Sequence, residues 1–330
     1  LLDIKKAYNN VISYKEGYLY PSYAHYLYAD FLYKIDKKLS TFHFQEGIRL
    51  DSLAGNSNCQ EIFNFGYSNI YGNEKSTIES AIYYLKKSFN CFKNKKDRTG
   101  DENLSVIPYY IATANYYIGN SIEAENYINL AIELDSAKNY LADYYTARGI
   151  IYFKNGYYEK AKTDFENSLK IKPNEPFNYS QYAIFLYQVN DIKNALIQVN
   201  KAVQIDTSAS SLINRAKFYI KNNEFKKAKI DLISALEIDD SDAEIYYYTA
   251  NVFNEEAKFL YVIDNMKKAI SNYDGSYITN LNNDKFIIKS DLYVELGNLY
   301  RKMDYKDLMC DNYEKACELG DCEMFEENCK

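Results

Sequence analysis

The stretch 142-ADYYTARGIIYFKNGYYEKAKTDFENSLKIKPNE-175 decides the fold. In its second half Ala161, Phe165 and Ser168 stand at i, i+4 and i+7, so they share one face of a helix. In its first half the small Gly149 lets that second helix approach the first where Ala161 faces it. Pro173 cannot continue a helix and closes the second one. The block therefore predicts a helix–turn–helix unit.

The block recurs. Residues 176–208 put Ala183, Ala195, Val199 and Ala202 on the same marks, and 209–242 put Ala216, Tyr219, Ala228, Leu232 and Ala235 there. Residues 243–276 supply Tyr246, Ala250, Phe253, Met266 and Ala269, and 290–323 supply Tyr293, Leu296, Gly297, Tyr300, Tyr313 and Ala316. Upstream, 105–138 supplies Ala112, Ala124, Ile128 and Ala131, while 62–95 and 21–54 fit loosely. A near-constant period of this kind is the mark of a stacked array, because no single unit buries its apolar face alone. The organisation that follows is a partial helix at 1–20, two degenerate units at 21–104 and five units at 105–276. An insertion at 277–289 precedes the last unit and a Cys-rich capping helix at 290–330.

Tyr145, Gly149, Tyr152, Ala161, Phe165 and Pro173 fall on the W, G, Y, A-x3-F and P places of the 34-residue tetratricopeptide pattern. The chain resembles that family, with Arg148 at the usual Leu place and Tyr145 for Trp as departures. The resemblance implies an all-α, right-handed superhelical solenoid of about eight helical hairpins with a C-terminal capping helix. It also implies a non-catalytic scaffold, without cofactor, that binds a protein or peptide along a concave groove. Carrying over the outward positions of the first helices gives Tyr109, Thr113, Tyr116, Thr146, Ile150, Phe153, Ser180, Ile184, Tyr187, Ile213, Lys217, Tyr247, Asn251, Asn254 and Asn298 as lining. The alternative for each is that it faces a neighbouring helix. Thr146, Ser180 and Ile213 stand where the family's carboxylate clamp would need lysine, so that activity is not implied. Two other readings stay open: self-association as a structural or assembly protein of the cell envelope, and an aromatic glycan-binding surface, which the absence of Trp disfavours.

Composition agrees with a helical array. Among 330 residues, 47% are hydrophobic and only 12 are Gly and 4 Pro, too few for a structure rich in turns. Tyrosine is abundant at 37, which reads as codon bias or as interface anchoring. The net charge is −7 and no basic stripe occurs, which argues against nucleic acid as a partner. No apolar run is long enough for a membrane span. The start at Leu1 without Met is read as a trimmed or processed form. No phosphate-cradling loop or nucleophile elbow is present, and no catalytic residue is assigned. His25 and His43 lie on the two helices of the first unit, equidistant from its turn, and can approach each other; two histidines alone are too few ligands for a zinc site, so none is assigned.

Four of the six cysteines crowd the stretch 310-CDNYEKACELGDCEMFEENCK-330, which holds seven acids and two lysines after Cys310. Gly320 suits the end of one helix and Asp321 the N-cap of the next, making an antiparallel hairpin. Cys310 and Cys329, and Cys317 and Cys322, then lie at mirror positions about Leu319–Gly320. Seven residues of helix separate Cys310 from Cys317 by about 10 Å, too far for one tetrahedral metal. Cys59 and Cys91 mirror each other about Lys75. The six are placeable as three disulfides, which favours an oxidising compartment such as a bacterial periplasm or the surface of an exported lipoprotein; buried thiols in the cytoplasm are the alternative.

Overall fold

In a computed structural model the described residues are 21–32, 37–53, 58–70, 75–94, 103–273, 275, 278–279 and 286–330. The partial helix expected at 1–20 lies outside them. The chain divides into two compact units, with the boundary in sequence between Ile171 and Lys172. The first unit holds four helical hairpins: α1 (Pro21–Leu32) with α2 (Lys37–Leu53), α3 (Cys59–Ser68) with α4 (Lys75–Lys93), α5 (Asn103–Tyr117) with α6 (Ser121–Leu134), and α7 (Leu141–Lys154) with α8 (Tyr158–Ile171). The second holds α9 (Pro176–Gln188) with α10 (Ile192–Ile205), α11 (Ala209–Lys221) with α12 (Phe225–Ile238), and α13 (Ala243–Glu255) with α14 (Phe259–Asn272). It ends with α15 (Lys289–Lys302), α16 (Lys306–Glu318) and the short α17 (Glu323–Asn328). This is the all-α repeat solenoid class. Below, the first helix of each hairpin is called A and the second B.

One turn joins A to B in six successive hairpins. Each A helix from α5 to α15 ends on a left-handed residue: Gly119, Gly156, Asn190, Asn223, Ala257 and Asp304. Around each, two backbone N–H groups fold back on the last turn, as Gly156 N–H donates to Phe153 O and Tyr157 N–H to Tyr152 O. These bonds satisfy carbonyls that a helix end would otherwise strand. Only two of the six positions carry the residue without a left-handed penalty, so the backbone plan is held by packing as well as by local preference.

The packing is set by small residues at the A–B crossing. Ala161, Phe165 and Ser168 are fully or almost fully buried, and a Cβ on Gly149 would stand 3.1 Å from the Phe165 ring and 3.3 Å from Ala161 O. Arg148, the departure from the family pattern, has its own partner: its Nε and Nη2 donate to both oxygens of Asp164 at 2.7 and 2.9 Å, and its Nη1 donates to Asn129 Oδ1 at 2.9 Å. The clasp recurs in the second unit, where Arg215 donates to Asp231 at 2.8 and 2.7 Å and to Asn200.

The insertion before the last hairpin holds a two-residue antiparallel ladder, β1 (Ile278–Thr279) with β2 (Phe286–Ile287), rather than extended helix. Ile278 and Ile287 are paired and buried in the second unit's core. At the chain's end Gly320 is left-handed, and Gly320 and Asp321 N–H donate to Cys317 and Ala316 O. Cys322, not Asp321, takes the N-cap place of α17, and its side chain caps nothing. Three disulfides are present: Cys59–Cys91 across the α3–α4 hairpin, Cys310–Cys329 and Cys317–Cys322 across the α16–α17 turn. These are the mirror pairs of the sequence. No residue of α17 is buried; Met324 and Phe325 rest half-covered on the last hairpin.

Candidate partner-binding surface

The A helices of the first unit carry a run of touching aromatic rings. On α3, Phe63 and Tyr67 are one turn apart and stack at 5.9 Å. Tyr110 of α5 meets both, 5.8 Å from Phe63 and edge-on at 4.8 Å from Tyr67. Its neighbour Tyr109 stacks on Tyr144 of α7 at 5.4 Å. Tyr144 is the buried end of the run: its hydroxyl donates to Ser105 Oγ at 3.1 Å, and burial pushes the phenol well above its ordinary range. Phe63, Tyr109 and Tyr110 are half-buried and Tyr67 is exposed. Further along α5, Tyr117 is exposed, and half-buried Tyr116 lies under the Lys154 ammonium at 4.8 Å. Such rings present large, stiff apolar area with a hydroxyl at the rim.

The expected lining residues divide. Tyr109, Thr113, Tyr116, Ile150 and Phe153 in the first unit are half-buried, as are Ile184, Tyr187, Asn251 and Asn298 in the second; Asn254 is exposed. Thr146, Ser180, Ile213 and Tyr247 are buried, and they do not line a surface. All four are the fifth residue of their blocks, a place that the A helix turns into the array. Thr146 there shares a 2.7 Å hydrogen bond with Ser168 of its own B helix, and Tyr247 donates to Glu295 of the next hairpin at 3.2 Å. Lys217 is buried as well: its ammonium pairs with Glu244 at 2.8 Å and lies over the Tyr248 ring. Asn298 accepts from the Tyr313 hydroxyl at 2.8 Å. Sequence reasoning passed over Phe63, Tyr67 and Tyr110. The signal was the i, i+4 aromatic pair on α3, hidden because the loose block was registered from residue 62 while the helix begins at Cys59.

The two histidines do meet. His25 Nδ1 and His43 Nδ1 are 3.0 Å apart and buried, so one donates and the other accepts. Burial lowers both, and with His25 beside it His43 falls to about 4, which leaves both rings neutral at pH 7. Among the described residues no three metal-ligating side chains come together, and no helix is long and apolar enough to cross a membrane.

Known proteins match this architecture. The tetratricopeptide repeat family matches residues 142–175, 209–242 and 290–319. The human tetratricopeptide repeat protein 13 is 23% identical over 221 residues, covering 66% of this chain and 24% of that protein, so the chain spans about a quarter of the relative it matches. Among solved structures, a tetratricopeptide repeat protein of Parabacteroides merdae superposes with a TM-score of 0.53 at 15% identity, over 82% of this chain and 99% of its own. Yeast Tom70 gives 0.53 at 16% identity, over 88% and 66%. PilW, a type IV pilus biogenesis factor, gives 0.52 at 17%, over 68% and 97%. Proteins of this fold generally mediate protein–protein interaction or assembly and are generally non-catalytic. Repeat matches, relative and structural neighbours agree with the hairpin geometry: the chain carries tetratricopeptide repeats and has the fold of the proteins built from them.

Proposed function

We propose that the protein is a binding scaffold that receives an extended or helical segment of a partner protein on the A-helix faces of its units. The observation that carries this reading is the first unit's aromatic run, where Phe63, Tyr67, Tyr110 and Tyr109 touch in sequence while keeping part of each ring accessible. Aromatic anchors of this kind are enriched at interfaces and dominate their energetics.

Panning a random peptide library against the oxidised protein tests the reading. A recurring peptide pattern is expected, and Tyr67→Glu with Tyr110→Glu should abolish its capture while the far-UV circular dichroism stays unchanged. Equal enrichment on the double variant would sink the assignment. The protein's mass by light scattering over a wide concentration range addresses the self-assembly alternative, for which a strict monomer leaves no room. The three disulfides support an extracytoplasmic, oxidising compartment, periplasmic or on an exported lipoprotein. Thiol labelling of the protein in its native cell should then find no reactive cysteine.

A further inference from the structure

On the second unit's A-helix face one buried ammonium makes no hydrogen bond among the described residues. Lys221 stands in the last turn of α11, and its Nζ is buried without a hydrogen-bond partner, although the side chain as a whole is only part-buried. The ring of half-buried Tyr187 of α9 has its centroid 6.0 Å from the ammonium, at the edge of useful cation–π range. Tyr187 is itself fixed edge-on against Phe218 at 5.5 Å. The carbonyls that a lysine at a helix end ordinarily meets are taken: Phe218, Tyr219 and Ile220 O accept from the N–H groups of Asn222, Glu224 and Asn223. The carboxylate nearest in sequence, Glu224, is held by Asn222 Nδ2 at 2.6 Å and by Lys227.

Three other lysines of the unit are paired with glutamates. Lys217 pairs with Glu244 at 2.8 Å, and Lys229 and Lys258 reach Glu256 at 3.8 and 2.6 Å. Burial without a counter-charge disfavours the ammonium and lowers its pKa. A cation kept in that state at an exposed face is a candidate for a ligand that the face does not yet hold.

We propose that Lys221 anchors a carboxylate of an acidic partner segment, with Tyr187 and Ile184 taking the apolar side chain beside it. This rests on the reading of the A-helix faces as partner-binding, and it adds the chemistry of the partner: an acidic residue next to an apolar one. The ammonium reaches such a group by rotating its four-carbon stem, and forms a charge-assisted hydrogen bond, among the strongest available.

The test uses the full oxidised chain and a peptide enriched from the random library. Peptides captured by the wild-type protein should share one Asp or Glu. Replacing it by the amide should weaken binding about tenfold, measured by fluorescence anisotropy, and lysine-to-methionine substitution at Lys221 should cost the same. On Lys221→Met the acidic and amide peptides should then bind equally. Peptides without a fixed acid, or an amide penalty that persists in Lys221→Met, would overturn the proposal and leave the binding reading standing. Failure to enrich any peptide would overturn both. Thermal unfolding supplies a readout without ligand: Lys221→Met should hold or raise the midpoint, and a fall of several degrees would show that the ammonium is already paired inside the fold.

Discussion

The α7–α8 and α15–α16 hairpins follow one backbone plan in strict register and fill it with different chemistry. Arg148 and Asp164 of the first become Leu296 and Asn312 in the last, Gly156 becomes Asp304, and Phe165 becomes Tyr313. Both keep glycine at the crossing, Gly149 and Gly297, and both keep the left-handed turn residue. The last hairpin adds what the other lacks, a disulfide-bound cap. The shared features are those the crossing geometry demands; the variable ones are alternative ways to fill the same space. The comparison can be broken at each of these points in turn.

The largest effect is expected at the clasp. Asp164 is almost wholly buried, with 4% of its side chain exposed. Arg148→Met would leave its carboxylate without a counter-charge, and should cost about 3–5 kcal/mol in denaturant unfolding. Arg148→Leu together with Asp164→Asn writes the last hairpin's solution into this one. That double variant should recover most of the loss, since well-packed replacements for a buried ion pair are often neutral. A cost below about 1 kcal/mol for the single change would mean that Asp164 is solvated through the hairpin and that the clasp is not a fixed element.

The second effect lies at the cap. A six-residue helix is too short to persist alone, and α17 buries none of its residues. Replacing Cys310 and Cys329 by Ser should cost about 2–4 kcal/mol of local stability. Hydrogen exchange should show α17 amides losing protection while those of α15 and α16 stay slow. Unchanged protection of α17 would mean that Met324 and Phe325 hold the cap without the covalent link.

How much of this was legible depends on whether a residue acts within its own hairpin or between hairpins. Gly149, Ala161 and Phe165 act across one crossing at a fixed spacing, so the repeat reads directly from them. The cysteines were equally readable, because a hairpin pairs residues at mirror positions and the chain supplies three mirror pairs. Arg148 read only as a departure: its partner Asp164 lies sixteen residues on, and nothing local marks the two as a pair. The burial of Thr146, Ser180, Ile213 and Tyr247 was illegible for a different reason. Whether the fifth residue of an A helix faces a groove or the array depends on how far each hairpin rotates over the next, which no single block encodes. Phe63, Tyr67 and Tyr110 were missed because the weak block hid the register of α3. The turn at Ala257 and Asp304 carries no glycine signal, yet the backbone there repeats that of Gly119 and Gly156.

The third effect separates the two crossing glycines. A Cβ on Gly297 would stand 2.5 Å from Tyr313 Cε1, and Tyr313 is wholly buried with its hydroxyl tied to Asn298. Gly297→Ala should therefore overpack the crossing and cost about 1–3 kcal/mol. At Gly149 the nearest atom is Phe165 Cζ at 3.1 Å, a wider gap than the 2.5 Å at Gly297, and a phenyl ring has no hydroxyl to be tied as that of Tyr313 is. Gly149→Ala should cost less than its counterpart, because a shift of a few tenths of an ångström is offset by the alanine's helix preference of about 1 kcal/mol. Equal penalties at the two sites would show that the crossing distance, not the anchoring of the aromatic ring, sets the requirement for glycine.

The smallest effect is at the turn and has the opposite sign. Asp304 holds a φ of 62° where the α7–α8 hairpin has Gly156 at 79°. A left-handed conformation costs an ordinary L-residue roughly 1–2 kcal/mol, and less for Asp, whose short side chain tolerates it. Asp304→Gly removes that strain but gives the unfolded chain more freedom, so the net gain should be about 0.5 kcal/mol. Ala257, at 54° and without a polar side chain to help, should gain more, about 1 kcal/mol on substitution by glycine. The ordering is the decisive part of the measurement. If Asp304→Gly gains as much as Ala257→Gly, the aspartate contributes nothing local, and the turn is set by the packing of the two helices on either side of it.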